Sequence, residues 1–132
     1  MRRLITGLSL ALVCASLYAQ TMNLRATIPF AFHAGEKAMP AGEYTIRHSG
    51  VTLILRNEGG PSVVLLTNAS SRPNPMADAR LGFNRYGERY FLSRVWTSGL
   101  REGREMPKSP AEKELASRAV LRESVGIALK RK

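Results

Sequence analysis

Apolar residues fall on alternate positions from the start of the non-leader chain. Leu24, Ala26, Ile28, Phe30 and Phe32 alternate with Arg25, Thr27, Pro29 and His33, the two-residue repeat of a half-buried strand, which predicts a first strand over residues 23–33. Pro29 has no amide hydrogen for a sheet ladder, so its place is an edge or a bulge. Residues 34–42 contain Gly35, Pro40 and Gly42 and predict a turn-rich connection. Extended runs over 44–48 and 51–56 flank Ser49 and Gly50, a tight-hairpin signal. Residues 57–60, Asn-Glu-Gly-Gly, then turn the chain into a further run over 62–67. The result is a three-strand meander with Val51, Leu53 and Leu55 on one core face and Val63 and Leu65 on a matching one.

The next segment, 68–78, is rich in Ser, Pro, Asn and Ala, and Pro73 and Pro75 argue against helix and central strand, so it predicts an exposed loop. Residues 80–86 and 89–97 flank Gly87 and Glu88 as a second hairpin, which holds Phe83, Tyr86, Tyr90, Phe91 and Trp96. Strict alternation places Phe91, Ser93 and Val95 on one side and Tyr90, Leu92 and Trp96 on the other. Apolar bulk on both faces implies a closed or two-layered arrangement. Residues 98–107 read as another loop. Ser109, Pro110 and Glu112 spell a helix start, with a cap, a proline at the first helical position and a capping-box acid, and the helix is predicted to run to about Val120. Glu114 and Arg118 stand four apart in the favourable order. Val125, Ile127 and Leu129 then alternate with Ser124, Gly126 and Ala128, which predicts a short closing strand, with a continued basic helix as the alternative. The fold expected is mainly β: an antiparallel β-sandwich or partly closed barrel of about seven strands, with one helix near the C-terminus.

Composition changes the picture at the N-terminus. Arg2 and Arg3, an apolar run from Leu4 to Leu17 and Ala19 before Gln20 have the form of a cleavable secretory signal. The run is shorter than the roughly 20 residues a membrane span needs, and Val13 before Cys14 departs from a lipoprotein signal. The expected organisation is therefore a signal peptide over 1–19 and a single β-rich domain over 20–132, exported to the periplasm or the cell exterior. Cys14, the one cysteine, leaves with the signal, so no disulfide is available to the domain. Removing Arg2 and Arg3 leaves 18 basic residues against 10 acidic ones, a net charge of +8. In that compartment the counterparts of a cationic surface are an anionic glycan, a wall polymer or a membrane surface rather than nucleic acid.

Four blocks carry a resemblance. Ile28-Pro29-Phe30-Ala31-Phe32, Met39-Pro40-Ala41-Gly42-Glu43-Tyr44-Thr45-Ile46, the run from Tyr86 to Trp96, and Pro107-Lys108-Ser109 with Glu112 and Glu114 resemble, in that order, a family of small exported bacterial proteins of unknown function. The resemblance implies export and a shared fold. It brings no activity, ligand or catalytic residue. Met39 stands where the family pattern has leucine, a volume-conserving change.

Candidate chemistry is sparse. His33 and His48 are the only histidines and Asp78 the only aspartate, which makes a poor zinc set, and no cofactor motif is present. Ser93, His48 and Asp78 could be assembled into a triad on paper, but no glycine elbow frames a serine. The promising patch is the second hairpin, where Tyr86, Tyr90 and Trp96 interleave with Arg85, Arg89 and Arg94. Aromatic faces can stack sugar rings and guanidinium forks pair with carboxylate or phosphate, so these six are the candidate ligand-binding residues. The plain alternative is that the aromatics pack the core and the arginines edge it. A non-enzymatic extracytoplasmic binding or structural module is the expected function, and a small hydrolase or isomerase using a carboxylate such as Glu43 or Glu88 beside a tyrosine is the alternative.

Overall fold

Three of the extended runs change sheets part-way along, and that decides the architecture. The computed structural model describes residues 22–72, 78–97, 102–118 and 121–131. The expected signal over 1–19, Cys14 and the helix end near Val120 lie outside them. The first run is split into β1 (Met22–Ile28) and β2 (Phe32–Ala34), with Pro29 at the break. A short β3 (Lys37–Met39) pairs back on β2 within the segment expected to be a connection. The meander forms as β4 (Gly42–Ser49), β5 (Thr52–Asn57) and β6 (Ser62–Leu66). After one residue, Thr67, the chain enters β7 (Asn68–Ser71). The aromatic hairpin is β8 (Arg80–Tyr86) and β9 (Arg89–Trp96), followed by β10 (Glu102–Glu105), helix α1 (Pro110–Ser117), β11 (Arg122–Ala128) and β12 (Lys130–Arg131).

These strands form two sheets. The first has the order β12-β1-β4-β5-β6; the second runs β11-β8-β9-β10-β7, with β2 and β3 attached beside β9. Every pairing is antiparallel except β2 with β9, where His33 lies opposite Phe91. The chain crosses between sheets at Pro29–Ala31, at Thr67 and at Leu129, which adds β2, β7 and β12, and β3 and β10 form in expected connections, so about seven expected strands become twelve among the described residues. The strands fall into two sheets and no closed barrel forms, which agrees with the sandwich form of the expectation. The closing segment is strand, not helix, because β11 pairs along β8 for its whole length, from Arg122 opposite Tyr86 to Ala128 opposite Arg80.

The core lies between the sheets. Leu24, Ile28, Ile46, Leu53 and Leu55 from the first meet Leu81, Phe83, Leu92 and Val95 from the second, each almost wholly removed from water. Each such side chain contributes about 1.5–3 kcal/mol from burial. Phe32 plugs one end, with ring centroids 5.3 Å from both Tyr44 and Phe83. Burial pushes the Tyr44 hydroxyl above its ordinary pKa, and it donates to the Pro40 carbonyl.

Three expectations are corrected here. Val51 does not join Leu53 and Leu55 inside; the hairpin turn takes Gly50 and Val51, with Gly50 at φ 58°, and Val51 is 55% exposed. Residues 68–71 are not loop but strand, because β10 offers them a ladder from Glu105 opposite Asn68 to Glu102 opposite Ser71. That same β10 falls inside the 98–107 segment, read from sequence as loop. Composition disfavoured both strands; β10 forms because β9 offers it a ladder from Gly103 opposite Trp96 to Glu105 opposite Arg94, and β7 forms on the free edge of β10.

Candidate functional site

The six hairpin residues do not share a face: alternation separates Arg85 and Tyr90 from Tyr86 and Arg89, and a single extra residue further along decides where Arg94 and Trp96 fall. Gly82 pairs with Arg94 and Phe83 with Leu92, which leaves Ser93 unmatched as a β-bulge. The bulge reverses the alternation, so Leu92 and Val95 both enter the core while Phe91, Arg94 and Trp96 share the opposite, outer face. The expected grouping of Phe91, Ser93 and Val95 is thereby corrected. Arg85 and Tyr90 lie opposite one another on the core-facing side; Tyr86, Arg89, Arg94 and Trp96 lie on the outer face.

Helix α1 covers half of that outer face. Ser109 caps it, its hydroxyl accepting from the Glu112 amide at 3.2 Å. The reciprocal half of the expected capping box does not form, because the Glu112 carboxylate turns to the sheet instead. It is 3% exposed and accepts from the Asn84 amide at 2.8 Å and the Tyr86 hydroxyl at 3.0 Å. Asn84 also reaches the Ser93 hydroxyl at 3.4 Å. Burial raises the Tyr86 pKa, and the hydrogen bond and charge of Glu112 raise it further, against a smaller lowering by Arg122. A buried carboxylate pinned by two donors holds the helix on the sheet. Sequence reasoning saw Glu112 only as a cap, and the missed signal was a polar Asn84 and a Tyr86 on the same face of a strand otherwise rich in core residues.

The other half is open. Gly82 and Gly126 face one another across β8 and β11 and floor a groove of about 220 Å³, walled by Arg80, Arg94, Trp96, Asn84, Ser93 and Ser124. The Arg80 side chain lies along Gly126, its Cδ 3.5 Å from where a Cβ would stand. Arg80 has no carboxylate within 4 Å among the described residues, whereas Arg94 pairs with Glu105 at 3.1 Å in an exposed bridge. Trp96 lies flat across Gly103: a Cβ there would stand 2.3 Å from its Cε3 and 2.6 Å from the Val95 carbonyl oxygen. Only glycine fits beneath that indole. Arg72, 5.3 Å from the ring centre, closes the far side and donates to the Thr97 carbonyl at 2.7 Å and the Asp78 carbonyl at 3.1 Å.

No family model, curated protein or solved structure matches this chain. Its chemistry therefore rests on the groove itself. Guanidinium groups over a glycine floor, with an indole and the Ser124 side chain at the walls, can hold an anionic group and a flat or sugar-like body together.

The remaining candidates are occupied otherwise. Phe30 stacks on Tyr90 with centroids 3.8 Å apart and planes at 12°, and the Arg85 guanidinium lies 5.4 Å from the same ring. Arg85 also donates to the Gly87 carbonyl and meets Glu123 at 3.6 Å. Arg89 lies 5.5 Å from the Phe91 ring, and the His33 imidazole stacks 5.0 Å from that ring. Ser93 sits on the outer face of the second sheet and His48 on β4 of the first, so the triad drawn on paper is not brought together. Among the described residues no group of three or more His, Cys, Asp or Glu side chains is placed to hold a metal ion.

Proposed function

We propose that this protein is an exported, non-enzymatic binding module whose outer groove takes an acidic polymer, an anionic glycan or wall polymer outside the cytoplasm. The observation that supports the reading is the open half of the second sheet, where Arg80, without a counterion among the described residues, and Arg94 flank the Gly82–Gly126 floor beside Trp96. A guanidinium over glycine approaches backbone closely while its fork stays available to carboxylate or phosphate. The excess of basic over acidic residues adds long-range attraction for such a ligand. Export rests on the signal-like N-terminus and on the resemblance to a family of small exported proteins. No helix among the described residues is long and apolar enough to cross a membrane.

The hydrolase alternative draws no support from Glu43 and Glu88. Both are exposed, and the tyrosine hydroxyls whose partners are defined go elsewhere, Tyr44 to the Pro40 carbonyl and Tyr86 to Glu112. A glycan, lipid and wall-polymer binding array at low and high salt tests the proposal, run on the protein and on the Arg80→Ser/Arg94→Ser variant. Binding to acidic polymers that weakens with salt and drops about tenfold or more in the variant supports it. Equal binding by an Arg85→Ser/Arg89→Ser control fixes the site to the groove; no binding under any condition overturns the reading.

A further inference from the structure

We propose that the crevice between the two sheets is a second binding site, for a small monocarboxylic acid with an apolar body whose carboxylate is held by His48 and Arg104. The crevice lies at the open end of the sandwich, has a volume of about 250 Å³ and is lined by Leu24, Ile46, Val95 and Ala69. An apolar cavity of about 150 Å³ takes benzene, and the same space per atom leaves room here for about ten non-hydrogen atoms.

Two separate observations point to an anionic head. The first is the His48 Nε2 atom, buried and without a partner, the only buried side-chain nitrogen or oxygen in that condition among the described residues. Buried polar groups are almost always paired, so an orphan nitrogen on a residue that lines the cavity points to a partner supplied from the cavity. The second is Arg104, half-buried on the inner side of β10, which donates to the hydroxyl and carbonyl of Thr67 at 2.8 and 2.7 Å but meets no carboxylate within 4 Å among the described residues. Neutral oxygens position its guanidinium and leave its charge uncompensated. A carboxylate that reaches both satisfies the imidazole and the charge at once, by charge-assisted hydrogen bonds. Glu102, also on the lining, is exposed at the rim, where solvent screens its charge. The site is independent of the outer groove, which lies on the opposite face of β9 and β10.

Sodium octanoate, with ten non-hydrogen atoms, and its neutral counterpart 1-octanol are titrated calorimetrically into the purified protein, with amide shifts followed by NMR. Saturable octanoate binding about tenfold or more tighter than octanol, with shifts centred on β4, β9 and β10, is expected. His48→Phe and Arg104→Met should each bring octanoate down to the octanol affinity while leaving octanol unchanged. Equal affinity for acid and alcohol, unchanged octanoate binding in both folded variants, or no saturable binding overturns the proposal. Should either variant lose its amide dispersion, the acid-to-alcohol ratio and the shift map of the unmutated protein decide, and shifts confined to the outer groove around Gly82 and Gly126 count against it.

Discussion

The outer face of the second sheet is built by one hairpin, β8 and β9, yet its two halves behave as different materials. Under helix α1, Asn84, Tyr86 and Ser93 surround a carboxylate removed from water, and the Asn84 amide and Tyr86 hydroxyl both find their acceptor in it. A few residues along the same strands, Arg80, Arg94 and Trp96 stand around a glycine floor open to solvent. The covered half spends its polar groups on holding a helix. The open half leaves them free for a ligand. Polarity on a strand therefore does not mark a site by itself; what lies above the strand decides whether polar groups stabilise the fold or recognise something else.

That contrast can be broken at either half. The largest effect is expected at Glu112→Ala, which leaves the Asn84 amide and Tyr86 hydroxyl buried without their acceptor. Hydrogen bonds to a charged group are worth about 1.5–3 kcal/mol each, so a loss of about 3 kcal/mol in urea unfolding and release of the helix are expected. Gly103→Ala follows at about 2 kcal/mol, because its Cβ collides with the Trp96 ring and with the fixed Val95 carbonyl oxygen. It should also weaken acidic-polymer binding by displacing the indole.

Tyr86→Phe is expected to cost about 1.5 kcal/mol at neutral pH, from one lost hydrogen bond to a charged group. This variant also has a pH signature. The Tyr86 pKa is raised in the folded protein, chiefly by burial, so the stabilisation it brings is complete below the ordinary tyrosine pKa of about 10 and is lost as pH rises toward and through the folded value. The stability gap between the protein and Tyr86→Phe should therefore narrow in unfolding titrations taken from neutral pH to above 10; a constant gap would contradict the burial assignment. The smallest stability effect belongs to the open half. Arg80→Ser/Arg94→Ser should change unfolding by no more than about 0.5 kcal/mol, since Arg80 has no ion-pair partner among the described residues and the Arg94–Glu105 bridge is 43% and 40% exposed. Its effect is to be read in polymer binding.

The sequence made some elements legible and hid others for identifiable reasons. The β4–β5–β6 meander, the β8–β9 hairpin turning at Gly87 and the Ser109 cap were readable because each depends on residues close together in the chain. The pairing of β7 with β10 was hidden because its stability is non-local: neither segment is apolar, β10 becomes a strand on the edge of β9, and β7 on the edge of β10. Of the six candidate residues, Arg94 and Trp96 reach the groove, while Arg80, Gly82 and Gly126 were missed. A pair of glycines opposite one another on different strands has no signature along either strand alone.

By itself the sequence determined that the chain is mainly β, that one helix starts at Ser109, and that basic residues outnumber acidic ones. These follow from period, capping chemistry and charge, all of which act over a few residues or over none in particular. Only the tertiary structure decided where strands change sheets, where the Ser93 bulge reverses the hairpin's faces, and that Glu112 is a buried anchor while Arg80 is an open cation. Those outcomes depend on which surfaces meet across the fold, and burial, the quantity that gives a polar group its energetic weight, exists only once they have met.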